Sequence, residues 1–152
     1  MENLFSTVLL KFEAIKSQRN SLESLLYQTS ALLKSDIPHY DRVGFYILNS
    51  QSNTLVLGPF SGIPTEHTHI PVGKGVCGQV AERKQTMIVQ DVSEQSNYIA
   101  CSLNVQSEIV VPILKNGSFI AEIDIDSHAF SPFSMEDEQF LTNITNQLAE
   151  YF

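Results

Sequence analysis

The chain has 152 residues, 43% hydrophobic and 17% charged, a composition that suits one folded domain spanning 1–152 and excludes a disordered chain. Its net charge of −8 argues against nucleic acid or an anionic membrane surface as a partner. Two cysteines cannot build a secreted disulfide scaffold, and no signal peptide or apolar membrane span is recognisable, so we expect a cytoplasmic protein.

Apolar residues recur at helical spacing in an N-terminal segment at about 4–34, where the polar patch Lys16–Ser21 predicts a break into two helices. At the other end, the letters SMED predict a capping box, and a C-terminal helix that begins at Ser134. The elements between them are predicted as strands at 42–49 and 54–60, a loop at 61–75, a short helix at Val76–Arg83, a strand at 85–92, and two strong strands at 107–114 and 118–126.

This order of elements predicts an α+β fold. The hairpins imply an antiparallel sheet, and the N- and C-terminal helices can pack together on one of its faces. The other face is then left for a ligand pocket. We recognise no internal repeat and no domain boundary.

The hairpin that joins the last two strands decides which residues share a face. A two-residue loop at Asn116-Gly117 would mix core residues with charges, because it pairs Lys115 with Ser118 in a regular ladder. A three-residue loop, Lys115–Gly117, is therefore favoured, since a one-residue slip turns every side chain to the other face. It predicts a wholly apolar core face made of Ile109, Val111, Ile113, Phe119, Ala121, Ile123 and Ile125.

The same register predicts a cluster of acids on the opposite face. It puts Glu108 directly opposite Asp124, with Asp126 next along, and the alternation of the first strand puts Tyr46 on this face too. Mutual repulsion is expected to raise the pKa of some of these carboxyl groups. The alternative is an ordinary solvated sheet surface.

Such a cluster serves an ammonium group, a metal ion or acid–base chemistry. An ammonium group is favoured over a metal, and no metal site is predicted. The chain has no Asp-rich loop with calcium spacing, and His67 with His69 is a weak ligand pair.

The two cysteines occupy different settings. Cys77 lies at a predicted helix start after a glycine-rich turn, where a thiolate is stabilised, although a small buried structural residue is the alternative. Cys101 lies in a polar, irregular stretch just before Glu108. A thiol beside carboxyl groups suits peroxide or sulfoxide chemistry, in which an acid protonates an oxygen that the thiol displaces and a second thiol completes the cycle.

Several motifs together resemble the free methionine-R-sulfoxide reductases, compact GAF-fold enzymes that act on the free amino acid. They are VGFYIL, LVLGPFSG, IPVGKGVCG, YIAC, SEIVVPI and IDIDS, in this order and at similar spacing from Val43 onwards. The combination is far more specific than any single motif.

The resemblance implies that Cys101 attacks the sulfoxide sulfur, and that Glu108, Asp124 and Asp126 hold the ammonium group of the substrate and supply the proton. It implies that Tyr46 lines the pocket around the methyl-sulfur end, and that Cys77 takes part in disulfide formation. No cofactor is implied beyond a thiol reductant such as thioredoxin. GAF domains often dimerise through their terminal helices, so a homodimer is compatible with the apolar N-terminal helix.

The chain departs from the family pattern at three positions. Typical members have a cysteine near the position of His67, tryptophan at Arg42 and aspartate at Ser102. Either Cys77 or an external thiol then resolves Cys101, or the chain is a divergent member with weak or altered activity. A non-catalytic GAF module that binds a small ligand, and a redox-sensing module, are the alternatives to an enzyme.

Overall fold

The computed structural model describes residues 3–95 and 104–152. Its elements are α1 (Leu4–Lys16), α2 (Leu22–Asp36), β1 (Arg42–Asn49), β2 (Thr54–Ser61), β3 (His69–Pro71), α3 (Gly75–Arg83), β4 (Met87–Val89), β5 (Ser107–Lys115), β6 (Ser118–Ser127) and α4 (Met135–Leu148), with short 3₁₀ turns at Val92–Glu94 and Ala149–Tyr151. Within these two ranges, every helix is too short or too polar to cross a membrane.

The strands form a single six-stranded sheet in the order β3-β2-β1-β6-β5-β4, and every pair is antiparallel. The α+β fold with an antiparallel sheet is therefore confirmed. Strand β3 lies inside the segment that was predicted as a loop, because three residues, one of them a proline, carry too little pattern to be recognised.

Three helices cover one face of the sheet, as predicted. The break after Lys16 is real, because the side chain of Ser21 accepts a hydrogen bond from the backbone N–H of Ser24 and starts α2. The capping box of α4 is also confirmed, since the carboxylate of Asp137 accepts from the backbone N–H of Ser134 at 2.8 Å. Residues of α1, α2 and α4 pack with the sheet into the larger core.

The turn between β5 and β6 differs from the prediction. It is the two-residue Asn116-Gly117 turn, with φ values of 53° and 80°, and it pairs Lys115 with Ser118. Just beyond it, Leu114 pairs with Phe119 but Ile113 pairs with Ala121, so Ile120 is an extra residue that bulges out of the ladder.

The bulge explains why the predicted core face is right except at one position. Ile109, Val111 and Ile113 share the larger core with Ala121, Ile123 and Ile125. Phe119 was predicted on this face and is wrong, because it lies before the bulge and joins a smaller core on the other side of the sheet. That smaller core comprises Tyr46, Leu55, Ile70, Val76, Cys77, Val80, Ala81, Val89, Val110 and Phe119.

Candidate active site

The smaller core covers a row of buried carboxyl groups. Alternation along β6 directs Glu122, Asp124 and Asp126 to this face, and Glu108 of β5 joins them. Their exposed fractions are 0%, 1%, 1% and 3%. Because all four groups are buried, the alternative of an ordinary solvated surface is wrong. Burying carboxyl groups is costly unless they are neutralised or paired.

The register within this row differs from the prediction. Glu108 pairs with Asp126, whereas Asp124 lies opposite Val110 on one side and Gly44 on the other. The predicted pairing of Glu108 with Asp124 is wrong because the two-residue turn and the bulge at Ile120 each shift the register by one position, two in all. A shift of two residues keeps every side chain on its face, so the carboxyl groups still share one surface.

Helix α3 brings Cys77 into this row. The thiol is 5% exposed, and its Sγ lies 3.9 Å from Oε2 of Glu108. Two glycines allow the approach: Gly75 begins the helix with φ at +65°, and a Cβ on Gly78 would lie 2.7 Å from the carbonyl oxygen of Pro71. The structure thus places Cys77 in contact with a carboxyl group that lies far from it in sequence.

Tyr46 lies on the same face, where the alternation of β1 predicted it. It is fully buried opposite Glu122, and its hydroxyl donates a 2.7 Å hydrogen bond to the backbone carbonyl of His67. This bond ties β1 to the segment that precedes β3.

A small enclosed cavity of about 10 Å³ lies between α3 and the sheet, which is room for about one water molecule. The cavity is lined by Tyr46, His67, Ile70, Lys74, Gly75, Val76, Cys77, Glu108 and Asp124.

Two of the three carboxyl groups of β6 lack hydrogen-bond partners among the described residues. The oxygens of Glu122 and Asp124 accept no hydrogen bond within the described part of the chain. Burial, followed by the neighbouring Asp124, raises the pKa of Glu122 well above its ordinary value, and the thiol of Cys77 offsets only part of this. Glu122 therefore keeps its proton to a higher pH than an exposed glutamate does.

A cation also lies on this face. Arg42 is 4% exposed, opposite Asp126, and is the one buried basic side chain among residues 3–95 and 104–152. Its Nε donates to the carbonyl of Ile63 at 2.9 Å, and its guanidinium lies 5.1 Å from the ring centroid of Phe60. The position that departs from the family pattern thus places a positive charge at one end of the acidic row.

Not every candidate residue can be located in this way. Cys101, the predicted nucleophile, lies outside the described residues. Glu122, in contrast, is a buried member of the acidic row that sequence reasoning missed. The signal was present, because the alternation in AEIDID puts Glu122 on the face of Asp124 and Asp126.

The fold and the match to known families agree on the class of protein. Residues 21–151 match the GAF domain family. The chain is 40% identical over 137 residues to the free methionine-R-sulfoxide reductase of Escherichia coli, which covers 90% of this chain and 81% of that protein. The enzyme of the same name from Saccharomyces cerevisiae is 37% identical, over 94% of this chain and 82% of that one.

A solved structure shows the same likeness in three dimensions. The free methionine-R-sulfoxide reductase of Neisseria meningitidis, in complex with its substrate, superposes with a TM-score of 0.91 at 35% identity. The match covers 97% of this chain and 87% of that one. The present chain therefore belongs to the free methionine-R-sulfoxide reductases, a family of GAF-domain enzymes, as its motifs predicted.

Proposed function

We propose that this protein reduces free L-methionine-R-sulfoxide to methionine. The observation that carries the proposal is the row of buried carboxyl groups beside a buried thiol. Family membership supplies the reaction, and the buried negative charge suits the ammonium group of a free amino acid.

In this proposal Glu108, Asp124 and Asp126 hold the ammonium group of the substrate and provide the proton for the sulfoxide oxygen. Asp124 is the strongest candidate for direct contact, because it lines the cavity and neither of its oxygens accepts a hydrogen bond from residues 3–95 or 104–152. Tyr46 lines the same cavity and packs against the methyl-sulfur end.

The chemistry assigned to the thiols balances in two steps. The thiolate of Cys101 attacks the sulfoxide sulfur, the oxygen takes up a proton and passes to the cysteine sulfur, and methionine leaves with a sulfenic acid on Cys101. The thiol of Cys77 then attacks that sulfur, which forms a disulfide and releases water. Glu108 accepts the proton of Cys77, whose Sγ lies 3.9 Å from its Oε2.

A dithiol reductant such as thioredoxin returns two electrons and two protons to the disulfide and closes the cycle. We assign the resolving role to Cys77 because the position of the additional family cysteine is occupied here by His67. Such a cycle needs a reducing compartment, and we accordingly assign the protein to the cytoplasm.

The test is to incubate the protein with each sulfoxide epimer and dithiothreitol or thioredoxin, and to measure methionine. We expect methionine from the R epimer only, and none from Cys101→Ser. The exposed control Glu150→Gln should match the wild type. An intact protein that releases no methionine from either epimer contradicts the proposal, and full activity in Cys101→Ser contradicts the assigned nucleophile.

A non-catalytic ligand-binding module is the second candidate, and Arg42 favours it. A buried guanidinium opposite Asp126 competes with an ammonium group for the same carboxyl group. Calorimetry that shows tight methionine binding without turnover would support this module. Mass spectrometry after mild peroxide treatment tests the redox-sensing alternative, which requires a disulfide between Cys77 and Cys101.

A further inference from the structure

The folded chain adds a thiol to the acidic row, which ammonium recognition by itself does not require. The Sγ of Cys77 and one carboxylate oxygen each from Glu108 and Asp124 all lie within 4.8 Å of one another, and all three residues are buried. A compact group of one sulfur and two oxygen ligands is a donor set for a metal ion.

A second observation points to a ligand at the same place. Asp124 is 1% exposed and lines the small cavity, yet its two oxygens accept no hydrogen bond from the residues that the structure describes. Buried polar groups in folded proteins nearly always have a partner, and a buried carboxylate without one marks a position where a ligand supplies it.

We propose that Cys77, Glu108 and Asp124 bind a thiophilic divalent cation, and that Zn²⁺ fits the site best. Thiolate sulfur favours Zn²⁺ over Ca²⁺ and Mg²⁺, which take oxygen ligands. Zinc binds sulfur at about 2.3 Å and carboxylate oxygen at about 2.0–2.2 Å, so donors around one ion lie roughly 3.5 Å apart. The separation of 3.9 Å between Cys77 Sγ and Glu108 Oε2 is close to this value.

The site has three protein ligands, and the adjoining cavity leaves the fourth position of a tetrahedral ion to one water molecule. When the metal binds, the S–H bond of Cys77 breaks, its proton goes to solvent, and a bond from sulfur to zinc forms. One thiolate and two carboxylates then surround the doubly charged ion, and binding releases the thiol proton. Zinc affinity should therefore rise with pH.

The zinc site shares its residues with the proposed substrate site, so the two ligands exclude each other. Zinc bound to Glu108 and Asp124 blocks the ammonium group of the sulfoxide and also occupies the thiol of Cys77. This consequence rests on the proposed function, whereas zinc binding itself does not. Zinc thus acts as a reversible block of the reduced enzyme.

The experiment titrates fully reduced, metal-free protein with ZnCl₂ in a calorimeter, in the absence of substrate. We expect one zinc per chain with micromolar or tighter affinity and release of a proton. Co²⁺ in place of zinc should produce a thiolate-to-cobalt charge-transfer band. Cys77→Ser should abolish the band, and both Cys77→Ser and Asp124→Asn should weaken zinc binding at least tenfold.

Cys101→Ser is the matched control, because it removes the other thiol and should leave the stoichiometry and the cobalt band unchanged. Three results would overturn the proposal: no zinc bound by the reduced wild type, binding equally tight in Asp124→Asn, or binding lost in Cys101→Ser. Asp124→Asn is isosteric and keeps the test valid if Cys77→Ser fails to fold.

A separate measurement tests the metal block. Added zinc should raise the KM for the sulfoxide in the wild type without lowering kcat at saturating substrate. If zinc binds but no sulfoxide is ever reduced, the proposed function fails and the metal site stands. If the enzyme is active and bound zinc leaves KM unchanged, the metal block fails.

Discussion

Buried carboxyl groups occur on both faces of the sheet, and their surroundings are opposite. On the face covered by three helices, Asp137 accepts hydrogen bonds from the hydroxyl of Tyr40 at 2.7 Å, from His39 Nε2 at 2.7 Å and from the backbone of Ser134 at 2.8 Å. On the other face, Asp124 and Glu122 accept none from the described residues.

The pKa values follow this difference. Burial acts to raise the pKa of Asp137, but the hydrogen bonds from His39, Ser134 and Tyr40 outweigh it and hold the pKa below its ordinary value. Burial raises the pKa of Glu122, and nothing comparable offsets it. A carboxyl group that is hydrogen-bonded inside the fold stabilises it, whereas a buried one without hydrogen bonds is a candidate for ligand contact.

The largest expected effect on activity comes from Asp124, on the face that carries the cavity. Asp124→Asn removes the negative charge that is proposed to contact the ammonium group, and losing one partner of a buried charge pair costs about 2–5 kcal/mol. We expect kcat/KM for the sulfoxide to fall by at least about 30-fold, while the free energy of unfolding stays the same or rises. Steady-state kinetics and urea unfolding measure the two quantities. If Asp124→Asn is as active as the control Glu150→Gln, Asp124 does not contact the substrate.

Asp137, on the face covered by three helices, should show the reverse pattern: a loss of stability with little loss of activity. Asp137→Ala leaves Tyr40 and the start of α4 without their acceptor, so we expect a loss of about 2–4 kcal/mol in the free energy of unfolding. Activity per folded molecule should stay within about twofold, because Asp137 lies on the face away from the cavity. Urea unfolding followed by circular dichroism measures the loss, and an unchanged midpoint would contradict the assigned role.

The third prediction uses pH. Because the pKa of Asp137 is lowered on folding, its contribution to stability is present above its ordinary value of 3.8 and is lost as the pH falls through the lowered value. The wild type should therefore lose stability on acidification below about pH 4 more steeply than Asp137→Asn does. Parallel unfolding curves between pH 3 and pH 5, in buffers of about equal ionic strength, provide the check.

The contribution of Glu122 to stability should change with pH in the opposite direction to that of Asp137, and its effect should be the smallest of the four. Because its pKa is raised on folding, the folded state binds the proton more tightly, and stability falls as the pH rises above the ordinary value of 4.5 and through the raised one. Glu122→Gln removes this loss, so we expect it to be more stable than the wild type by about 1 kcal/mol above neutral pH. The gain should vanish below about pH 4. A gain that persists in acid would mean that packing, and not charge, is responsible.

Much of this arrangement was readable from the sequence. The alternation in SEIVVPIL and SFIAEIDID separates the apolar residues from the acids, and SMED predicts the cap of α4. Both patterns are local, because side-chain direction in a strand and capping at a helix start depend on neighbouring residues only. The motifs around Cys77 and Glu108 were also sufficient to identify the family.

The bulge in β6 and the long-range hydrogen bonds of Asp137 could not be predicted from a local sequence pattern. The bulge at Ile120 reconciles a two-residue turn with an apolar core face, and only the packed sheet selects it over a three-residue loop. Asp137 could be read as a helix cap, but its bonds to His39 and Tyr40 join parts of the chain that are about a hundred residues apart.

The local pattern of residues is enough to assign which side chains face the same way along each strand and which chemistry they can support. Tertiary structure alone decided that the acidic face is buried, that Glu108 pairs with Asp126, and that Cys77 lies 3.9 Å from Glu108. The burial and the thiol contact depend on how α3 packs over the sheet, and the strand pairing depends on the turn and the bulge at Ile120. Burial and long-range contact are properties of the assembled layers, which no stretch of neighbouring residues encodes alone.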